Sequence, residues 1–319
     1  MTTMRTTTPT TMKIEAFAKV NLTLDVYGTR PDGYHALRSV VMPISLSDTL
    51  TLEPADEFSS DTGYDDDLCL KAARVLANSQ WGSDAPVACQ KFSIRVAKRI
   101  PAGGGLGGGS ADAAATLVAL NGLWSLGTSR AELAELGAQV GSDVPALVLG
   151  GAVLMEGRGE RVQSIDACAG CDFSSEHRSI GASDHVRTFN LVLVNPGVPS
   201  STKEVYAACG EREKDAPSPT DAMIAALRTG DLAQIAAATS NDLQAPAVRL
   251  HPEIADALAS LRTAGATGVT MSGSGSSVFG FAPDAATAAR ISAELNSRGL
   301  RAWQISCLPS ASASIVPAL

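Results

Sequence analysis

Between residues 103 and 109 six of seven positions are glycine, and the run PAGGGLGGGSADAAATLVA continues into a serine and an alanine-rich apolar stretch. Glycine has no Cβ, so its backbone N–H groups can crowd around an anion. The serine and alanines read as the first turns of a helix, whose N-terminus carries unpaired N–H groups and partial positive charge. Bare amides opening into a helix make a phosphate cradle. The P-loop pattern fails because no lysine follows the glycines. The dinucleotide fingerprint is met formally by Gly103, Gly105 and Gly108, but so glycine-dense a run satisfies it almost automatically. Pro101 interrupts the strand-to-loop turn, and the loop is too long for a Rossmann turn. A purely structural glycine turn stays open at this point.

With 319 residues the chain has room for two domains with real cores. A net charge of −8 with no basic stripe argues against a nucleic-acid surface. No apolar run reaches membrane-spanning length, and the Thr-rich start, residues 1–12, reads as a disordered lead-in without the apolar core of a signal peptide. The expected location is cytoplasmic. Six scattered cysteines read as reduced thiols rather than a disulfide framework. Cys168 and Cys171, with His177 and His185 downstream, offer zinc-ligand chemistry, but their polar, breaker-rich setting in residues 166–187 reads as a solvated insertion.

Alternation predicts a strand over 13–26 and two more strand-like runs over 40–52. Helical spacing follows over 68–76, then a strand over 92–96 and a helix from the glycine loop to 126. Residues 129–140 form a second helix, with Ser129 as N-cap and Glu132 completing a capping box. A Gly-Ser-Asp-Val-Pro turn then leads into the apolar run 146–154. After a strand over 189–194, helices (202–209, 220–227, 231–238, 252–264, 284–298) alternate with strands (268–272, 277–281, 302–305). That alternation predicts a two-layer α/β sandwich in the second half. The domain organisation expected is 13–165, a linker or insertion at 166–188, and 189–319. A second glycine cluster, residues 272–277, reads by itself as a hairpin-like turn.

Phosphoryl transfer needs cations, amides around the polyphosphate and a group to take a hydroxyl proton. Lys19 sits on the first strand with Asn21 on the same face. Asp143 lies in a turn, where it could meet a hydroxyl or simply form an Asx turn. The residues alone support a nucleotide-binding enzyme and little more.

The ordered segments AKVNLTLDV…RPDGYHALRSV, PAGGGLGGGSADAA, VGSDVPALVLGG and MSGSGSSVFG resemble the three-motif pattern of the GHMP small-molecule kinases. Within that family, AKVNLTL followed by RPDGYH, and NDLQAPA at 241–247, look like the branch acting on a cytidine-diphosphate-linked methylerythritol. The resemblance implies an α/β fold of α+β type, with a ribosomal-S5-like N-terminal domain and a ferredoxin-like C-terminal domain. It implies ATP-dependent phosphorylation of a 2-hydroxyl on a small-molecule substrate, by a monomer or homodimer. Asp143 would be general base and Lys19 its partner, with Asn21 fixing the substrate. Tyr34 and His35 would read the cytosine, joined by Tyr206 and Thr202. ATP and Mg²⁺ would be held at Pro101, Ala102, Gly103, Gly104, Gly105, Leu106, Gly107, Gly108, Gly109 and Ser110, with Lys98 lining the pocket. No protein ligand for the metal is implied. Gly273 and Ser274 would support the phosphate loop and substrate. Asp67 departs from the family's usual asparagine near the adenine, and a carboxylate cannot donate that hydrogen bond. A homoserine or mevalonate kinase is the rival within the family, and a non-catalytic nucleotide sensor is the rival outside it. Tyr34 and His35 argue against the first, Lys19 and Asp143 against the second.

Overall fold

The computed structural model describes residues 11–31, 33–81, 90–165, 188–210 and 217–308. The first strand, β1 (Met12–Thr29), pairs antiparallel with β2 (His35–Ala55). The two runs expected over 40–52 are one continuous strand. Its solvent-side neighbours change along its length: residues 37–41 pair with one strand and residues 49–55 with another, so no break is needed. β3 (Ser59–Ser60) and the helix α1 (Leu68–Trp81) lead to β4 (Lys91–Ala97). The helices α2 (Gly108–Leu123), α3 (Arg130–Gly137) and α4 (Val144–Leu149) follow, then the hairpin β5 (Val153–Gly157) and β6 (Arg161–Ser164). Ser129 and Glu132 close the expected capping box on α3.

The second half opens with β7 (Asn190–Asn195), α5 (Thr202–Ala207), α6 (Pro219–Thr229) and α7 (Leu232–Ala238). It continues through β8 (Ser240–Asn241), α8 (Gln244–Leu250), α9 (Glu253–Thr263), β9 (Thr267–Met271), β10 (Val278–Ala282), α10 (Ala285–Ser297) and β11 (Arg301–Ser306). β7, β9, β10 and β11 form an antiparallel sheet in the order β11-β7-β10-β9, which α9 and α10 cover, so the expected α/β sandwich is present. The first sheet runs β3-β4-β2-β1-β8, with β5 and β6 hung on β2. β8 comes from the second half, so the two halves interlock rather than meet at a clean cut. The calls on residues 1–10 and on Cys168, Cys171, His177 and His185 lie outside the described residues.

Strand alternation sends β7 side chains to two different cores. Leu191 and Leu193 join Ile14, Val20 and Leu22 of β1, Leu117 of α2 and Met223 of α6. Val192 and Val194 join Ile254, Leu258 and Leu261 of α9, Ile291 of α10, and Leu24 and Val26 of β1. Each core therefore draws on both halves. The alanines of α2 let that helix pack closely against β1, α1 and α4, with Ala111, Ala113, Ala114 and Ala115 all buried.

Leu193→Ala should cost about 2–5 kcal/mol, the usual range for emptying a buried leucine site. Because the cores are shared, unfolding followed by two spectroscopic probes should show one transition. Two separated transitions would show that the halves are independent.

Candidate active site

Lys19 is only 3% exposed, and a buried ammonium must be paired. Its Nζ lies 3.3 Å from Asp143 Oδ2 and donates to Asn21 Oδ1 at 2.7 Å and to Gly105 O at 3.1 Å. An ammonium has three protons, and three acceptors surround it. The β1–β2 register slips on either side of residues 19–21, which aims this stretch at the glycine loop. Asp143 occupies the N-cap position of α4 but makes no capping hydrogen bond with its side chain. The Asx-turn alternative therefore gives way: the carboxylate faces Lys19. Asn21 holds Lys19 with its Oδ1 and donates one Nδ2 proton to Ser39 Oγ at 2.8 Å, and it lines the cavity.

The glycines serve contacts within the protein as well as any anion. A Cβ on Gly105 (φ 73°) would sit 2.1 Å from Ser272 O, and one on Gly107 (φ 68°) would lie 3.1 Å from Lys19 Cε. The second glycine cluster packs directly on the first. Ser277 N donates to Gly104 O at 3.1 Å, and Ser272 Oγ to Gly105 O at 3.0 Å. Asn241 anchors that cluster, its Nδ2 donating to Met271 O at 2.7 Å and Gly273 O at 2.8 Å, which accounts for the asparagine that opens the NDLQAPA run. Gly273 thus buttresses the loop and does not line the cavity, whereas Ser274 does. The N-terminus of α2 has no side-chain cap, so the N–H groups of Gly108, Gly109 and Ser110 point outward from the helix.

A cavity of about 1140 Å³ joins these parts and is lined by Pro101–Ser110, Lys98, Asn21, Thr202 and Tyr206. That exceeds the roughly 300–1,000 Å³ of a single-ligand pocket. At one end stand Tyr34, 58% exposed, and His35, whose ring centroid lies 5.6 Å from that of Tyr206. Burial and the charge of Asp143 push the Tyr206 hydroxyl's pKa upward, keeping it neutral. Thr202 Oγ1 lies 2.9 Å from Ser274 Oγ. The lining also includes Tyr64 and Leu68, the latter beside Gly109, which the sequence reading missed. An exposed aromatic in an acidic loop gives no periodic signal. Arg158 also lines the cavity and was missed because a lone arginine between two turn glycines reads as a solvated charge.

Lys98 pairs with Asp48 at 2.5 Å and Asp112 at 2.7 Å. Asp48 Oδ1 also accepts the Ile100 N–H at 2.8 Å, which ties the entry of the glycine loop to β2. Burial raises the Asp112 carboxyl to about 7, more than the attraction of Lys98 offsets, and the neighbouring Asp48 adds to the rise. Asp67 proves to be a helix cap: its Oδ1 accepts the Leu70 N–H at 3.0 Å and its Oδ2 the Thr62 hydroxyl. These bonds hold its carboxyl below the usual range even though burial pulls upward, and it does not line the cavity.

Residues 67–151 match the model for the GHMP kinases N-terminal domain, and residues 223–300 the model for the GHMP kinases C-terminal domain. The chain belongs to the GHMP kinase family. It is 38% identical to 4-diphosphocytidyl-2-C-methyl-D-erythritol kinase of Symbiobacterium thermophilum, over 93% of this chain and the whole of that one. It is 40% identical to the kinase of the same name from Pelotomaculum thermopropionicum, over 87% of this chain and 91% of that one. A crystal structure of 4-(cytidine 5'-diphospho)-2C-methyl-D-erythritol kinase superposes with a TM-score of 0.72 at 33% identity, covering 93% of this chain and 99% of that one. Homoserine kinase from Cytophaga hutchinsonii shares the GHMP fold, with a TM-score of 0.71 at 17% identity, covering 99% of this chain and all of that one.

Because the folded state binds the Asp112 proton more tightly than the unfolded chain, that group's stabilisation is lost as pH rises from about 4 to about 7. Asn mimics the protonated form. The stability of Asp112→Asn relative to the parent should therefore improve across that window, measured by denaturant titration at a series of pH values. A constant difference would refute the raised carboxyl.

Proposed function

We propose that this protein transfers the γ-phosphoryl group of ATP to the 2-hydroxyl of 4-diphosphocytidyl-2-C-methyl-D-erythritol, a step of non-mevalonate isoprenoid precursor synthesis. The observation that carries this reading is one cavity holding both the Lys19–Asp143 pair against the glycine loop and the Tyr34–His35–Tyr206 cluster at its end. The kinase name shared by relatives that span nearly the whole chain supports the same substrate.

In this mechanism the acceptor's cytosine stacks on Tyr34 beside Tyr206, and His35 hydrogen-bonds its edge. The hydroxyl then reaches Asp143, which takes its proton as the new O–P bond forms and the bond to the departing ADP breaks. Lys19 pairs with the Asp143 carboxylate and stabilises negative charge developing on the attacking oxygen. The amides of Gly107, Gly108, Gly109 and Ser110 receive the polyphosphate, and Lys98 stands beside them. Tyr64 and Leu68 flank the donor's base. Ser110, at the start of α2, would offer its hydroxyl oxygen to Mg²⁺ held mainly by phosphate oxygens and water, as this ion usually is. Among the described residues there is no group of three His, Cys, Asp or Glu side chains placed to hold a metal ion. When bound, it would neutralise phosphate charge.

Cytoplasmic location is part of the proposal. It is supported by free thiols at Cys69, Cys209 and Cys307 and by the ATP the reaction consumes. No helix among the described residues is long and apolar enough to cross a membrane.

Asp143→Asn should lower kcat by roughly 10²- to 10⁴-fold, the usual worth of a positioned base, while ATP affinity changes little. Steady-state rates with calorimetric ATP binding check this, and a near-parental kcat would remove Asp143 from the role. His35→Ala should raise KM for the cytidine-linked acceptor by about tenfold, the worth of one buried hydrogen bond, with KM for ATP unchanged. A panel including homoserine and mevalonate tests the acceptor itself. Turnover of either, without turnover of the cytidine compound, would sink the proposal.

A further inference from the structure

The cavity's cations are Lys19, Lys98, Arg158 and Lys203, apart from His35. Lys19 is neutralised by Asp143, and Lys98 by Asp48 and Asp112. Positive charge for a second anionic ligand must come from elsewhere, and Arg158 is the best placed to supply it.

Arg158 stands in the turn between β5 and β6, flanked by Gly157 (φ 76°) and Gly159 (φ 112°). That turn is pinned on two sides. A Cβ on Gly159 would lie 3.1 Å from Ser142 O, so the turn rests on the residue preceding Asp143. On the other side, Glu160 accepts the Arg158 backbone N–H at 2.5 Å and lies 3.6 Å from Arg30 Nη1. Arg30 N in turn donates to Tyr34 O at 2.7 Å. Glu160 is therefore paired with Arg30 and bonded to backbone, and it feels the Arg158 charge only from beyond ion-pair distance. Among the described residues no carboxylate forms an ion pair with the Arg158 guanidinium. The guanidinium carbon sits 5.1 Å from the centroid of the Tyr34 ring, within cation–π range.

We infer that Arg158 is a specificity-determining residue that binds the diphosphate linking the acceptor's cytidine to its polyol. This rests on the acceptor class proposed above. An acceptor whose base lies on Tyr34 and whose hydroxyl meets Asp143 must run its linker between those points, and the Arg158 turn is tied to both. A guanidinium fork matches phosphate oxygens in pairs, while its cation–π contact with Tyr34 holds the group beside the ring before the ligand arrives. Exposed Lys203 on α5 is a point charge with no such support.

The test is calorimetric titration of CDP and of cytidine, with the donor side saturated by a non-hydrolysable ATP analogue. The proteins are the parent, Arg158→Ala, Arg158→Lys and Lys203→Ala. Arg158 is exposed, and unchanged thermal midpoints verify that the variants fold. The parent should bind CDP at least tenfold more tightly than cytidine. Arg158→Ala should lose about tenfold for CDP and nothing for cytidine, with KM for the full acceptor rising in parallel and KM for ATP constant. Arg158→Lys should recover part of the loss. Equal losses for CDP and cytidine would make Arg158 a support for the base platform and overturn the inference. So would a CDP loss confined to Lys203→Ala. A parent that binds neither ligand would instead overturn the acceptor class, and the inference with it.

Discussion

The architecture of the site follows from one demand: an ammonium placed in a nearly sealed position on a central strand must have every proton accepted. Lys19 meets that demand with one group from its own strand, one from the glycine loop and one from the start of α4. Leaving a buried charge unpaired costs several kcal/mol, so those three segments are held in mutual register by the lysine. The geometry that would activate a hydroxyl and the geometry that satisfies Lys19 are the same.

The glycine loop answers to two sets of neighbours. Gly104 and Gly105 are pressed by the loop at 272–277, and Gly107 by Lys19 and Asp143, so side chains are excluded there by protein contacts alone. Those contacts give the loop a fixed shape before any nucleotide binds. The amides at the start of α2 then stand in a preorganised cradle, and preorganisation is what makes such dipoles effective during charge transfer. The second glycine cluster, weak as a signal by itself, is the other half of this arrangement.

Charge along the cavity is divided by burial. Near the glycine loop each lysine is matched by carboxylates, so the protein alone is close to neutral where the phosphoryl group would move. Toward Tyr34, the cation on the β5–β6 turn makes no ion pair among the described residues and feels only the longer-range charge of Glu160. Uncompensated charge is tolerated there because Arg158 is exposed and water screens it.

Much of this was legible locally. Alternation located the strands, the Ser129–Glu132 pair located a helix start, and the i, i+2 spacing put Lys19 and Asn21 on one face, where they touch. Short-range periodicity could not show that residues 35–55 form one strand, because its continuity depends on two different partners along its outer edge. Nor could it reveal β8, a two-residue strand whose existence depends on β1. Asp48, Tyr64, Asp112 and Arg158 went unread as site residues because their significance lies in what they face. By itself, the sequence determined the elements, the phosphate-binding loop and the residue types available for chemistry, since these follow from backbone preferences and spacing. Only the tertiary structure decided that Asp143 faces Lys19 instead of capping its helix, and that Asp67 does the reverse. A carboxylate accepts either bond, and long-range packing sets which donor is within reach.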